Sequence, residues 1–203
     1  MSRYGVLDKL EPHSTRTDSV GSSFPLAPET QAALVTEALR YYSLCQPESL
    51  EFPLAARIAI ASDHAAIALK ANLAAWLREH GHPVADLGPH DHTSVDYPDY
   101  GYRLASAIER GEADFGIALC GSGIGISIAV NRNPAARCAL VSEPVSAKLA
   151  RHHNDANVIA MGARLIGEDM AKSCVHAFLE ATYEGGRHEK RVAKLSHFAK
   201  EPA

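Results

Sequence analysis

DFGIALCGSGIGIS, residues 114–127, decides how this chain folds. Its first half is a short apolar run of the length of a buried strand, and its second half is a glycine-rich turn that opens into helical sequence. A strand that leaves through such a turn into a helix belongs to a parallel sheet, because parallel neighbours need a crossover between them.

The same alternation continues on both sides. RIAIA (57–61) is a strand, followed by a helix whose Leu69, Leu73, Trp76 and Leu77 share one face and which stops at Gly81. PVADL (83–87) is a second strand, and a helix from about Tyr100 to Arg110 ends at Gly111. RCALVS (137–142) and NVIAMG (157–162) add two more strands, and a long helix then carries Ile166, Met170, Cys174 and Phe178 at spacings of four. The expected fold is α/β: three layers, α/β/α, around a five-stranded parallel sheet, Rossmann-like in type. No internal repeat is evident.

The chain divides near Pro53. Residues 1–53 read as an N-terminal extension, an arm over 1–27 rich in Ser, Thr, Pro and Gly followed by a helix from about Glu29 to Ser43. That helix carries an apolar stripe of Leu34, Val35, Ala38, Leu39 and Tyr42, which suits either the core of this chain or the surface of a partner. Residues 54–203 form the main domain.

Apolar residues make up 46% of the 203 and charged residues 22%, as in a folded globular protein. A net charge of −4 gives no basic field for nucleic acid or anionic membrane. Cys45, Cys120, Cys138 and Cys174 form no CxxC pair, which argues against a zinc knuckle or a dithiol redox motif and suits a reducing compartment. With no signal-like apolar segment at the N-terminus, a cytoplasmic setting is expected.

In open parallel sheets ligands bind beyond the carboxyl ends of the strands. In CGSGIGIS the alternate glycines let the backbone turn sharply and approach a ligand, and the amides that open the helix suit an oxyanion or phosphate. The dinucleotide fingerprint is absent, since the first strand leads into SDHAAIAL without glycine. Cys120, at the mouth of the turn, sits where amides favour a thiolate, though a strand end also suits a small buried residue. Asp63-His64 reads either as a capping acid with a solvated imidazole or as a proton carrier beside a phosphate. RHHNDAN (151–157) offers two histidines, of which one at most serves a given site. His90-Asp91-His92 lies in a polar loop without metal-ligand spacing, and no metal is expected. Arg187 and Arg191, four apart with Lys194 beyond, suit a phosphate clamp or a solvated helix face.

SDHAAIALK, DYPDY, CGSGIGISIAVN, RCALVSEP, RHHNDANV and YEGGRHEKRV, in that order, make the region from Arg57 to about Phe198 resemble the type B ribose-5-phosphate isomerases, in the family that includes galactose-6-phosphate isomerase subunits. The resemblance implies a cofactor-free aldose–ketose isomerase of small sugar phosphates. Cys120 matches the base that moves the proton, and Ser122 with the amides of Gly121, Gly123 and Gly125 matches the cradle for the enediolate oxygens. His153, with Asp63 as acidic partner, matches the group that opens the sugar ring. His64, Arg137, Arg187 and Arg191 match phosphate-holding groups, and Tyr97 and Asn154 match sugar contacts. One branch of the family uses a glutamate at the position held here by Ile126, so the cysteine base is favoured. A homodimer, or a dimer of dimers, with shared active sites is implied.

Ribose 5-phosphate to ribulose 5-phosphate is the default reaction, with four- and six-carbon sugar phosphates as alternatives. A non-catalytic sugar-phosphate-binding module would not need Cys120, Asp63 and His153 together. A flavodoxin-like redox protein would need flavin-flanking aromatics, whereas Trp76, the only tryptophan, lies on an apolar helix face.

Overall fold

The structure is a computed structural model that describes residues 55–196. The arm over 1–27, the helix over 29–43 and the boundary at residue 53 lie outside the described residues. Strand β1 (Ile58–Ser62) leads through a 3-10 turn (His64–Ala66) into helix α1 (Ile67–Glu79) and strand β2 (Val84–Asp86). Then follow α2 (Tyr97–Glu109), β3 (Phe115–Cys120), α3 (Ile124–Val130), β4 (Cys138–Leu140), α4 (Pro144–Asn154), β5 (Val158–Gly162), α5 (Glu168–Glu180), a 3-10 turn (Gly186–His188) and α6 (Glu189–Ser196).

All strand pairings are parallel, in the order β2-β1-β3-β5-β4. The five-stranded α/β architecture expected from the sequence is the one observed. From β1 the chain winds outward to β2, then returns across the sheet to β3, so the carboxyl ends of β1 and β3 flank the point where winding reverses.

Period-two alternation sorts the strand residues onto two faces. Ile58, Ile60, Ile117, Leu119, Ile159 and Met161 meet Leu73, Leu77, Val175 and Phe178 from α1 and α5 on one face. Ala59, Ala61, Ala118, Cys120, Val158 and Ala160 lie against Leu104, Ile126 and Val130 from α2 and α3 on the other. Each large aliphatic side chain buried this way contributes about 1.5–3 kcal/mol against leaving it in water. The alanines on the second face bring α2 and α3 close to the sheet, and Cys120 points into that layer.

Several element bounds differ from the sequence reading. Helix α2 begins at Tyr97, because Pro98 occupies its first turn, where a missing N–H costs nothing. Strand β4 is only Cys138–Leu140. Its edge is closed by the Asn131 side chain, whose Nδ2 donates to the Cys138 carbonyl at 2.8 Å and whose Oδ1 accepts from the Cys138 N–H at 2.8 Å. Helix α5 starts after Ile166, and Met170 is 42% exposed; Ala171, Cys174, Val175 and Phe178 form its buried face.

Candidate active site at the carboxyl ends of β1 and β3

Cys120 closes β3 and is 4% exposed. The chain turns immediately, and Gly123, at φ 77°, caps α3 from the left-handed region. Its N–H donates to the Cys120 Sγ at 3.1 Å. That contact strengthens as negative charge builds on sulfur. A Cβ on Gly123 would stand 2.8 Å from the Met161 carbonyl carbon, and one on Gly125 would stand 2.5 Å from Cζ of Tyr97. The glycines therefore let β5 and the Tyr97 ring press onto the turn. Ser122 Oγ accepts from the Ile124 N–H at 3.3 Å.

Asp63 enters from β1. Its backbone N–H donates to the Leu119 carbonyl at 3.1 Å, which sets it beside the residue that precedes Cys120. One carboxylate oxygen accepts from the Ala65 N–H at 2.9 Å, so the capping role holds for that oxygen. The next residue, His64, places Nδ1 3.2 Å from both the amide nitrogen and the carbonyl oxygen of Val95. Whichever tautomer is present, Val95 engages Nδ1 and leaves Nε2 to meet a ligand.

A second group gathers around α4 and the segment before α6. His153 stacks face to face on His188, with centroids 4.4 Å apart and planes 7° from parallel. Glu184 faces both through Oε2, at 3.9 Å from His153 Nε2 and 3.7 Å from His188 Nε2, while His152 Nδ1 lies 3.0 Å from its Oε1. The His152 contact is the main influence holding the Glu184 carboxyl below its usual range. Burial, then the His153 and Arg187 charges, push the His188 imidazole down.

His153, Glu184 and His188 are a donor set that zinc accepts elsewhere. Here Arg187 Nε lies 3.2 Å from His188 Nε2, which spends the lone pair and adds a cation beside it, so the set does not suit a metal. Arg187 belongs to the 3-10 turn and Arg191 to α6, so the two are not on one helix, although the turn feeds directly into α6. Arg137 is committed to Asp155, its Nη2 at 2.6 Å from Oδ2 and its Nε donating to the carbonyl at 2.8 Å. With Asn154 it lines a cleft of about 440 Å³.

Residues 58–195 match the Ribose/Galactose Isomerase family. The chain belongs to that family. Ribose-5-phosphate isomerase B of Escherichia coli strain K12 is 46% identical over 140 residues, covering 69% of this chain and 94% of the relative. D-erythrulose-4-phosphate isomerase of Pectobacterium atrosepticum is 42% identical over 143 residues, covering 70% and 93%. The solved structure of a ribose 5-phosphate isomerase from Thermotoga maritima aligns with a TM-score of 0.69 at 48% identity, covering 70% of this chain and 97% of that one. As a ribose/galactose isomerase, the chain is an aldose–ketose isomerase of sugar phosphates.

In this ribose/galactose isomerase the residues singled out in the sequence fall into two sets. Cys120, Ser122, Gly121, Gly123, Gly125, Asp63, His64 and Tyr97 assemble where β1 and β3 end. His153 and Asn154 close α4, and Arg137 abuts the start of β5 through its carbonyl, which accepts from the Val158 N–H at 3.3 Å. Cys120 instead pairs with Gly162, at the far end of β5. The four residue steps between Val158 and Gly162 span about 13 Å at the rise of a parallel strand.

No motif in the sequence marks Arg164. A Cβ on Gly121 would stand 3.4 Å from its guanidinium carbon, so Arg164 lies over the glycine turn, where it can meet an anion. Its signal is its place directly after β5. Glu184 and His188 were also missed as separate partners, because their contacts with His152 and His153 cross more than thirty positions of sequence.

Proposed function

We propose that this enzyme interconverts ribose 5-phosphate and ribulose 5-phosphate. The Cys120 thiolate takes the proton from C2 of the open-chain aldose and returns it to C1. As that C–H bond breaks, its electron pair forms the C1–C2 double bond of the enediolate, and the glycine-turn amides and Ser122 steady the charge on its oxygens. The hydroxyl protons exchange between O1 and O2, so atoms balance and no cofactor is required. The observation that carries this reading is the Gly123 N–H on Cys120 Sγ at 3.1 Å, at the point where the sheet reverses its winding.

The separation of the two residue sets supports a homodimer with shared sites. His153, Arg187 and Arg191 of one subunit would complete the site around Cys120 of the other, with His153 assisting ring opening and the arginines holding the phosphate. Exposed Ile124, Leu140 and Leu165, at 51%, 47% and 67%, ring a pocket beside Ser122 and support this reading, since apolar side chains at a site mouth favour a cover. Residues 54–203 act as the catalytic domain in this scheme. Among the described residues no helix is long and apolar enough to cross a membrane, and the free thiols of Cys120, Cys138 and Cys174 support the reading of a reducing, cytoplasmic setting.

The relative named for D-erythrulose 4-phosphate favours a four-carbon substrate as a second reading, because its identity to this chain is close to that of the ribose-5-phosphate isomerase. A coupled isomerase assay across four-, five- and six-carbon sugar phosphates decides between them. Highest kcat/KM on ribose 5-phosphate is expected, and highest kcat/KM on a tetrose phosphate would replace that substrate with the second.

A further inference from the structure

Lys70, 2% exposed, is among the largest fully buried side chains of the described residues, although it carries an amine. Its Nζ donates to Oδ1 of Asp86, the last residue of β2. The same oxygen accepts from the Gly88 N–H at 2.9 Å. Gly88 in turn offers its carbonyl to the Ser62 N–H at 3.0 Å, and Leu87 N–H donates to the Ile60 carbonyl at 2.9 Å. The ammonium of α1 thus fixes the exit of β2 against the carboxyl end of β1. From there the segment runs on to Val95, whose backbone holds His64 Nδ1, and to Tyr97, whose ring lies on Gly125.

A buried ion pair is a poor device for stability, since an apolar pair of similar volume is often as stable or more so. What it supplies is direction: Asp86 Oδ1 has one place to be when both Lys70 and Gly88 claim it. We propose that Lys70 is a positioning residue for substrate binding, acting through Asp86 and the segment from Gly88 to Val95 to set the His64 imidazole against the phosphate. The proposal rests on the reading of His64 as a phosphate-holding group.

The test is a double-mutant cycle in the full chain, with Lys70→Met, His64→Ala and both together assayed on ribose 5-phosphate. Lys70→Met keeps the volume and leaves Asp86, which is partly exposed, near water. The expected result is a KM raised about fivefold or more, part of the roughly 10- to 150-fold that the full loss of a hydrogen bond to a charged group would cost, with kcat within about twofold. The double variant should have the KM of His64→Ala alone, and Lys70→Arg should restore most of the wild-type KM. Should Lys70→Met fold poorly, Lys70→Met/Asp86→Asn leaves no unpaired buried charge and carries the same expectation.

An unchanged KM in the Lys70 variant overturns the proposal, whatever His64→Ala does. So does a KM increase that multiplies in the double variant, which would mean that Lys70 acts elsewhere than through His64. A loss confined to melting temperature and active fraction would make Lys70 structural only. The reading of His64 is tested separately, by the KM of His64→Ala alone.

Discussion

The Gly123 N–H donates to the Cys120 Sγ at 3.1 Å, so the left-handed residue that starts α3 also steadies the thiol at the end of β3. Cys120→Ala keeps the glycines and the arginines. It should leave KM near wild type while kcat falls about 100-fold or more, the range of a lost general base. Cys120→Ser should fail nearly as badly, because a hydroxyl is far less acidic than a thiol. Iodoacetamide should label Cys120 ahead of Cys138, whose thiol burial pushes up to about 12, and Cys174, pushed up to about 11 by burial and then by Glu143. Mapping the labelled residue by mass spectrometry, with and without substrate, checks this.

Two glycine substitutions should separate backbone from side-chain crowding. Gly123→Ala forces a side chain into φ 77°, at roughly 1–2 kcal/mol, and sets its Cβ against the backbone of Met161, which has nowhere to go. Gly125→Ala meets instead the ring of Tyr97, a side chain 41% exposed rather than backbone. Thermal melts should show the larger loss for Gly123→Ala. Gly125→Ala/Tyr97→Ala should regain the melting temperature lost by Gly125→Ala, without regaining its KM.

The sheet and the Cys120 turn were legible because both are written locally, in apolar runs and adjacent glycines. The buried face of α5 departs from the spacing of four for a geometric reason: a spacing of four drifts about 40° per step on a helix of 3.6 residues per turn. Across Met170, Cys174 and Phe178 the drift adds up to about 80°, enough that Met170 leaves the buried face while Ile166 lies before the helix begins. Arg164 carries no motif, and only its place after β5 marks it. The edge role of Asn131 and the burial of Lys70 depend on side-chain contacts that no period in the sequence encodes.

Acid should weaken the His153–His188 stack before the rest of the domain. The His188 imidazole titrates in the folded chain below its ordinary value of 6.5, so between those two values the unfolded chain binds more protons. Stability is therefore lost as pH falls below about 6.5, and the loss levels off once the folded imidazole is also protonated. The depressed Glu184 carboxyl adds a loss of the same sign at lower pH, as its contacts with the histidines end. Melting temperature should drop more between about pH 7.5 and about pH 5.5 in the wild type than in His188→Gln. An equal drop would assign the acid sensitivity to other groups.

The phosphate reading predicts a division between substrates. Arg191→Ala should raise KM for ribose 5-phosphate by about 10- to 150-fold, the equivalent of about 1.5–3 kcal/mol for a charge-assisted contact. Free ribose, which cannot use that contact, should be a very poor substrate for both proteins. Steady-state kinetics on the two sugars measure it, and equal turnover of ribose and its phosphate would remove the clamp.

Shared sites make a prediction that no single-chain site can meet. Cys120 and His153 lie toward opposite ends of β5, so each must work with its counterpart from a second copy if both serve one substrate. Cys120→Ala and His153→Ala should each be nearly inactive as pure proteins. Mixed under conditions that let subunits exchange, half of the dimers become heterodimers, and each of those holds one intact site and one that lacks both groups. Activity should then rise to about one quarter of wild type, half the dimers carrying half their sites. The rise should follow the rate of exchange and vanish when exchange is blocked by cross-linking beforehand. A mixture that stays as inactive as its parents would place both groups in one subunit's site.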